Sequence, residues 1–296
     1  MITTRIIGGL GNQMFQYAAG RALALRNRTG LAIDRSAFMD YTVHAYALDF
    51  FVLEAPAASA SDLPASPGAG NRLSRLLPWR RPVRHVVEQG LRFDPAVAAQ
   101  SGNVYLDGYW QSEQYFSDFS DILRKDFRFR HAPSPTNAEF LKRAGADNTV
   151  SIHIRRGDYV TNPNALAVHG TCSPAYYEKA ITTLAKECGS PLVGFVFSDD
   201  HAWAHENIRL PIETVHVEGN AADKAYEDMR IMAACRHHVI ANSTFSWWGA
   251  WLDPRPDSRV IAPARWFADT SMDATDLIPE RWKRLQVELG PSAATC

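Results

Sequence analysis

A chain of 296 residues, 46% hydrophobic and 21% charged, is long enough for two domains with separate cores and too apolar to be disordered. Its net charge of -1 excludes a global field that would recruit nucleic acid or an anionic membrane, so any anion site has to be local. Cys172, Cys188, Cys235 and Cys296 have neither the spacing of a structural zinc site nor the density of a disulfide scaffold, and the N-terminal stretch lacks a long apolar core; a reducing compartment without signal peptide or membrane anchor is expected.

In chain order, the β-branched run up to Ile7 reads as a strand that ends at Gly8-Gly9-Leu10-Gly11. From Asn12 to Arg28, Phe15, Ala18, Ala22 and Leu25 fall at three- and four-residue spacings, predicting a helix, and Leu31-Ala32-Ile33-Asp34 reads as the next strand. Strand, glycine turn and helix open a βαβ unit. The turn fails the dinucleotide fingerprint, because Met14 stands where a third glycine is needed, and it lacks the Lys-Ser/Thr of a P-loop. Backbone N–H groups around Gly11, with the amides of Asn12 and Gln13, suit sugar hydroxyls; the alternative is a tight turn with Asn12 capping the helix.

Residues 55–84 combine Pro56, Pro64, Pro67, Pro78 and Pro82 with Arg72, Arg75, Arg80, Arg81 and Arg84 and read as an insertion or loop, whose arginines either hold an anionic glycan or lipid headgroup or are simply solvated. Order returns with a strand at Asn103–Asp107. The aromatic, amide-rich stretch that follows offers Tyr109, Trp110 and Glu113 for a sugar acceptor, against the alternative that its aromatics are core. His131–Asn137 is the best linker candidate, which gives an N-terminal domain over 1–140 and a C-terminal domain over 149–296.

Val150, Ile152 and Ile154 alternate with Ser151 and His153, the pattern of a half-buried strand, and the strand delivers Arg155 and Arg156 to its C-terminal edge. That edge is where open α/β sheets bind ligands, and the planar arginine fork suits phosphate; a solvated surface pair is the alternative. A helix over Tyr176–Cys188 and a buried strand over Leu192–Phe197 follow. That strand carries Asp199 and Asp200 to the same edge, to orient hydroxyls or to cap a helix. Thr214–Val217 is a weaker strand. In the helix Ala225–Cys235, Asp228 lies off the apolar face, and the strand His238–Ala241 runs into Asn242-Ser243-Thr244-Phe245-Ser246, a plausible phosphate cradle at a helix start. Trp247 and Trp248 read as helix core. His201 and His205 lie four apart without a completing metal-ligand pattern, and no Asp-x-Asp triplet is present to clasp a nucleotide-bound ion, so no metal is expected.

Four motifs in order, at Gly8–Tyr17, Gly108–Phe116, His153–Tyr159 and Ala241–Leu252, resemble those of the α-1,2-fucosyltransferases of glycosyltransferase family 11. The resemblance implies a GT-B-like α/β architecture of two Rossmann-like domains facing across a cleft, with GDP-fucose held largely by the C-terminal one. It implies inverting transfer to a β-galactoside without a divalent metal or other cofactor. The lack of an apolar anchor points to a bacterial-type cytoplasm, with the Arg-rich stretch offering peripheral contact to the inner membrane face. The resemblance also assigns site residues. It places Arg155 on the β-phosphate, with Arg156 assisting, and Ser243, Thr244, Phe245 and Ser246 on the pyrophosphate. His153 and Asp228 fall at nucleoside positions, and Asn12 and Gln13 beside the sugar. Asp158 and Glu113 are candidates for the base, as is a phosphate oxygen of GDP. Residues 56–84 have no family counterpart. A same-fold transferase with another donor or acceptor, and a non-catalytic glycan- or nucleotide-binding module, are the competing expectations.

Overall fold

The computed structural model describes residues 1–64, 82–146, 148–220, 222–286 and 289–290, which divide into two compact units. The first comprises Met1–Arg130 with Thr275–Leu277 and the second His131–Ala274 with Ile278–Cys296. Within the insertion, Pro67, Pro78, Arg72, Arg75, Arg80 and Arg81 lie outside the described residues, as does Cys296; the expected glycan or membrane contacts of those arginines lie there too. The stretch His131–Asn137 begins the second unit, and Ser134 caps a helix there by accepting from the N–H of Asn137 at 3.2 Å.

The first unit runs β1 (Ile2–Arg5), α1 (Leu10–Arg26), β2 (Leu31–Asp34), β3 (Arg84–Val87), α2 (Pro95–Ala98), β4 (Val104–Asp107) and α3 (Ser120–Asp126). Its parallel sheet has the order β2-β1-β4-β3. The interior of α1 is buried nearly all round, and Asp126 fastens it by accepting from Tyr17 Oη and Arg21 Nε, both at 2.9 Å. Arg84, which composition assigns to a loop, opens strand β3 instead: the apolar pair Val86-Val87 follows it, and β4 supplies the ladder.

The second unit runs α4 (Pro135–Ala144), β5 (Thr149–Ile154), α5 (Gly157–Thr161), α6 (Pro163–His169), β6 (Thr171–Cys172), α7 (Pro174–Cys188), β7 (Val193–Ser198), α8 (His201–Asn207), β8 (Glu213–His216), α9 (Ala225–Ala234), β9 (His237–Val239), α10 (Thr244–Trp251), β10 (Val260–Pro263), β11 (Lys283–Leu285) and β12 (Leu289–Gly290). Six strands form a parallel sheet in the order β11-β10-β9-β5-β7-β8, the doubly wound order in which the chain reverses direction between its first strand, β5, and its fourth, β9. Val150, Ile152 and Ile154 pack beneath Tyr176, Ala180, Ile181 and Leu184 of α7, whereas Phe195 and Phe197 face Ala144 of α4 and Ile231 and Met232 of α9.

With helices on both faces, all six residues of β5 are buried, not the alternate ones that its pattern predicts. Its polar residues are tolerated because they are engaged. Ser151 Oγ lies 2.8 Å from His238 Nδ1, and His238 Nε2 lies 3.1 Å from Asp253 Oδ2, a sealed relay that ties β5 to β9 and to the turn after α10. Burial pushes His238 down, towards the neutral imidazole. Burial opposes the Asp253 charge, but bonds from His238 and Arg255 hold that carboxyl well below its usual range.

Trp247, Trp248 and Trp251 of α10 are fully buried and pack on one another, as expected of core.

Candidate active site

Strands β5 and β9 are parallel neighbours, so the turns that follow them emerge side by side at the switch point of the six-stranded sheet. One turn is Arg155-Arg156-Gly157 and the other leads through Asn242 to Ser243, the N-cap residue of α10. The topology thus assembles the arginine pair and the hydroxyl-rich helix start that lie far apart in sequence. Switch points are the ligand crevices of doubly wound sheets.

Two carboxylates grip Arg155: Nη2 lies 2.5 Å from Asp158 Oδ1 and Nη1 lies 2.7 Å from Asp199 Oδ2. Burial works against its charge, yet Asp199 and Asp158 outweigh that and raise its pKa, so the guanidinium stays charged. Arg156 is held from three sides. Its N–H donates to Asp199 Oδ1 at 2.8 Å, its Nε donates to Asp200 Oδ2 at 3.0 Å, and its guanidinium lies 3.8 Å from the centroid of the Trp203 ring. Its Nη1 is buried without a hydrogen-bond partner among the described residues, and a buried cationic donor in that state suits an anionic ligand oxygen. Asp199 and Asp200 therefore organise the arginines, and Asp200 also caps α8 by accepting from the Trp203 N–H at 3.2 Å.

At the second turn, Ser243 makes no capping bond with its side chain, so the first-turn N–H groups at Thr244, Phe245 and Ser246 face outward along the positive end of the helix dipole. Ser246 Oγ is turned back onto the Ser243 carbonyl at 3.3 Å. His153, on β5, sits 5.6 Å from Phe245 between ring centroids, and its buried Nδ1 has no hydrogen-bond partner among the described residues. Burial first, and then the Arg155 charge, push His153 down to about 3, so it is a neutral donor or acceptor at working pH.

Asn242 is at the site but its amide is spent inside the fold. Its Nδ2 donates to the carbonyls of His169 (2.9 Å), Gly170 (3.3 Å) and Trp266 (3.2 Å), so the expected donor contact would have to come from its main chain. Replacing Asn242 by Ala leaves those buried carbonyls unpaired and should cost about 2 to 4 kcal/mol in urea unfolding.

Asp228, in the first turn of α9, accepts from Asn220 Nδ2 at 2.7 Å, and Asn220 Oδ1 accepts from Asn137 at 2.9 Å. Burial, against the lowering bond from Asn220, pushes the Asp228 carboxyl up to about 7. The folded chain then keeps a proton that the unfolded chain has lost, so this contribution to stability is complete below the ordinary carboxylate range and is lost as pH rises through about 7. Asp228→Asn should remove that loss: its thermal midpoint should fall less than the wild type's between about pH 5 and 8 in scanning calorimetry.

In the first unit, Gln13 is fully buried, and its amide braces the loop by donating to the carbonyls of Gly8 (2.8 Å) and Ala45 (2.9 Å) while accepting from the Ala47 N–H (2.8 Å). It is a bracket for the turn, not the sugar contact that its position suggests. Asn12, beside Gly11, accepts from Gln111 Nε2 at 2.8 Å and links the turn after β1 to that after β4. Trp110 is likewise buried completely, at a φ of 57°, which makes it a packing residue and not an exposed acceptor platform. The Glu88 carboxylate holds that turn by accepting from the N–H groups of Tyr109 (2.6 Å) and Trp110 (2.8 Å). Gly108 is required there because a Cβ would come within 2.3 Å of Glu88 Cβ. Tyr109 is exposed and Glu113 is half-buried, so both keep surface for a ligand.

Sequence reasoning misses Glu88, Trp203 and the pair Tyr159–His169, whose rings stack at 4.4 Å and 5° beside Arg155, with its guanidinium 5.2 Å from the Tyr159 ring. Tyr159 closes the His153–Tyr159 motif without being singled out there, and the other three carry no local signal beyond residue type.

Residues 85–286 match the profile of Glycosyl transferase family 11. Over 297 residues the chain is 34% identical to an alpha-1,2-colitosyltransferase of Escherichia coli, covering 97% of this chain and 99% of that protein. It is 26% identical to galactoside alpha-(1,2)-fucosyltransferase 2 of Mus musculus, over 98% of this chain and 80% of that protein. Among solved structures, NodZ alpha-1,6-fucosyltransferase co-crystallized with GDP aligns with a TM-score of 0.50 at 14% identity, over 88% of this chain and 94% of that one. The fold is accordingly GT-B-like, with two Rossmann-like α/β units.

Proposed function

Because this chain belongs to glycosyltransferase family 11, we propose that it transfers L-fucose from GDP-fucose to the 2-hydroxyl of a terminal β-galactoside, with inversion at C1. One observation carries the proposal: the arginine pair and the start of α10, where Ser243 makes no side-chain cap, share the switch point of the second unit's sheet, a constellation that suits a diphosphate. The α-1,2 linkage in the names of both relatives supports the regiochemistry.

As the bond from C1 to the phosphate oxygen lengthens, negative charge gathers on GDP and positive charge on the sugar ring. Arg155, Arg156 and the α10 N–H groups meet the charge on GDP without reorganising, which is the condition for large electrostatic stabilisation. Asp158, with Asp199, positions Arg155; half-exposed, it can swing away as phosphate takes its place on the fork. The charge on the leaving group is met by protein in this chemistry, with no divalent ion in the step. We place the reaction in a reducing cytoplasm, on soluble or lipid-linked glycans, consistent with Cys172, Cys188 and Cys235 being free thiols; among the described residues no helix is long and apolar enough to cross a membrane.

A second reading, transfer of colitose, is favoured by the 34% identity with the colitosyltransferase. Colitose is fucose without its 3-hydroxyl, so the two differ by one polar contact, the kind of difference that a site with a dedicated hydrogen-bond partner distinguishes strongly. NMR of the product formed from lactose with GDP-fucose, GDP-colitose, GDP-mannose or UDP-galactose decides among these. A Fuc-α-1,2-Gal product bears out the proposal, and preference for GDP-colitose moves it to the second reading. Tight GDP binding without release of GDP from any donor would make the chain a binding module.

A further inference from the structure

We propose that His205, His216 and Glu218 form a binding site for a divalent transition-metal ion, zinc foremost, at the β8 edge of the second unit's sheet. Helix α8 supplies His205, the end of β8 supplies His216, and Glu218 follows two residues later. One ligand atom from each lies within 4.8 Å of the others. The imidazoles of His205 and His216 stack at 3.8 Å and 18°, and His205 Nε2 lies 2.7 Å from Glu218 Oε1. His201, one turn earlier on α8, brings its Nδ1 to 3.9 Å from the same oxygen and is the nearest further donor. Spacing alone left His201 and His205 without a completing ligand, because the other two arrive from a separate strand.

Two imidazoles and one carboxylate are a ligand set that zinc accepts with water in the fourth position. Magnesium and calcium prefer all-oxygen shells, so nitrogen donors select against them. At metal–ligand distances of about 2.0 to 2.2 Å, the donors of a tetrahedral ion sit about 3.3 Å apart. Starting from separations within 4.8 Å, small side-chain rotations bring these groups to that spacing, and two of the three are exposed and free to make them. The alternative is a surface His205–Glu218 pair with His216 stacked on it, and it differs in taking up no ion.

An ion here would staple α8 to the strand beside it. The seven-residue helix α8 bears Trp203, and its cap is Asp200, two of the three groups that hold Arg156. The ion would therefore act as a clamp behind the arginine and take no part in the chemical step.

The test is calorimetric titration of the untagged, chelator-stripped full chain with zinc chloride, and separately with magnesium chloride. Uptake of one zinc per chain and a rise in thermal midpoint are expected, with affinity falling at least about tenfold in His216→Ala and Glu218→Gln and the thermal gain vanishing when His205→Gln is combined with His216→Ala. Cobalt substituted at the site should give the visible absorption of a low-symmetry, nitrogen-bearing centre. Absence of saturable zinc uptake, equal uptake by the double variant, or equal affinity for magnesium would each overturn the proposal. All the side chains replaced lie at the surface or half-buried, and circular dichroism of each variant checks its fold. No readout uses transfer, so the result stands independently of the proposed activity.

Discussion

Replacing Arg155 by Lys should lower kcat for transfer by about 100- to 1,000-fold with little change in the unfolding midpoint. The side chain is still partly accessible, so its removal opens no cavity in the core. What lysine cannot reproduce is the geometry. The guanidinium spans Asp158 Oδ1 at 2.5 Å and Asp199 Oδ2 at 2.7 Å on two different nitrogens, and a single ammonium serves one carboxylate or the other. A lysine that drifts toward either one is misplaced for the phosphate, and the penalty falls on the transition state, where charge on the leaving group is greatest. Stopped and steady-state assays with GDP-fucose and lactose check it. A folded Arg155→Lys enzyme with near-normal kcat would remove Arg155 from the chemistry.

Gly157→Ala, one methyl group, should weaken GDP binding by about tenfold or more, as read by calorimetry. Gly157 packs so closely on β7's end that a Cβ would stand 2.6 Å from Asp199 Oδ2 and 3.1 Å from its Cγ. That carboxylate has to move, and it is the one group that holds both arginines, through the Arg156 N–H and through Arg155 Nη1. Two charge-assisted bonds are then strained at once, each worth about 1.5 to 3 kcal/mol. A double-mutant cycle identifies the cause: in an Asp199→Ala background the same methyl has nothing to strike and should cost little more. If Gly157→Ala is equally harmful there, the clash is not the mechanism.

Much of this site is legible in the sequence because its parts are strand ends. Alternation around Val150–Ile154 and the apolar run ending at Phe197 are enough to place Arg155, Arg156, Asp199 and Asp200 at one sheet edge. What alternation does not reveal is how each polar group is used. Asn242 and Gln13 carry amides that serve a ligand or a carbonyl equally well, and only the tertiary arrangement shows that both are consumed by backbone. Trp110 reads as an aromatic platform, and burial turns it into packing. Strand β3 is hidden because its ladder partner, β4, and not its own composition, makes it a strand. Trp203 and His169 acquire meaning only from the charged or aromatic neighbours that folding brings to them.

The sealed line from Ser151 through His238 to Asp253 bears on how mutational screens of this protein are read. A survey that scores lost product would flag all three positions, and their identities would invite the name of a hydrolytic triad. The connectivity is reversed, with the hydroxyl on Nδ1 and the carboxylate on Nε2, and His238 has no accessible surface. Its lesions would loosen the seam between the two strands whose ends carry the proposed diphosphate site, and would be felt there by residues that never touch a ligand.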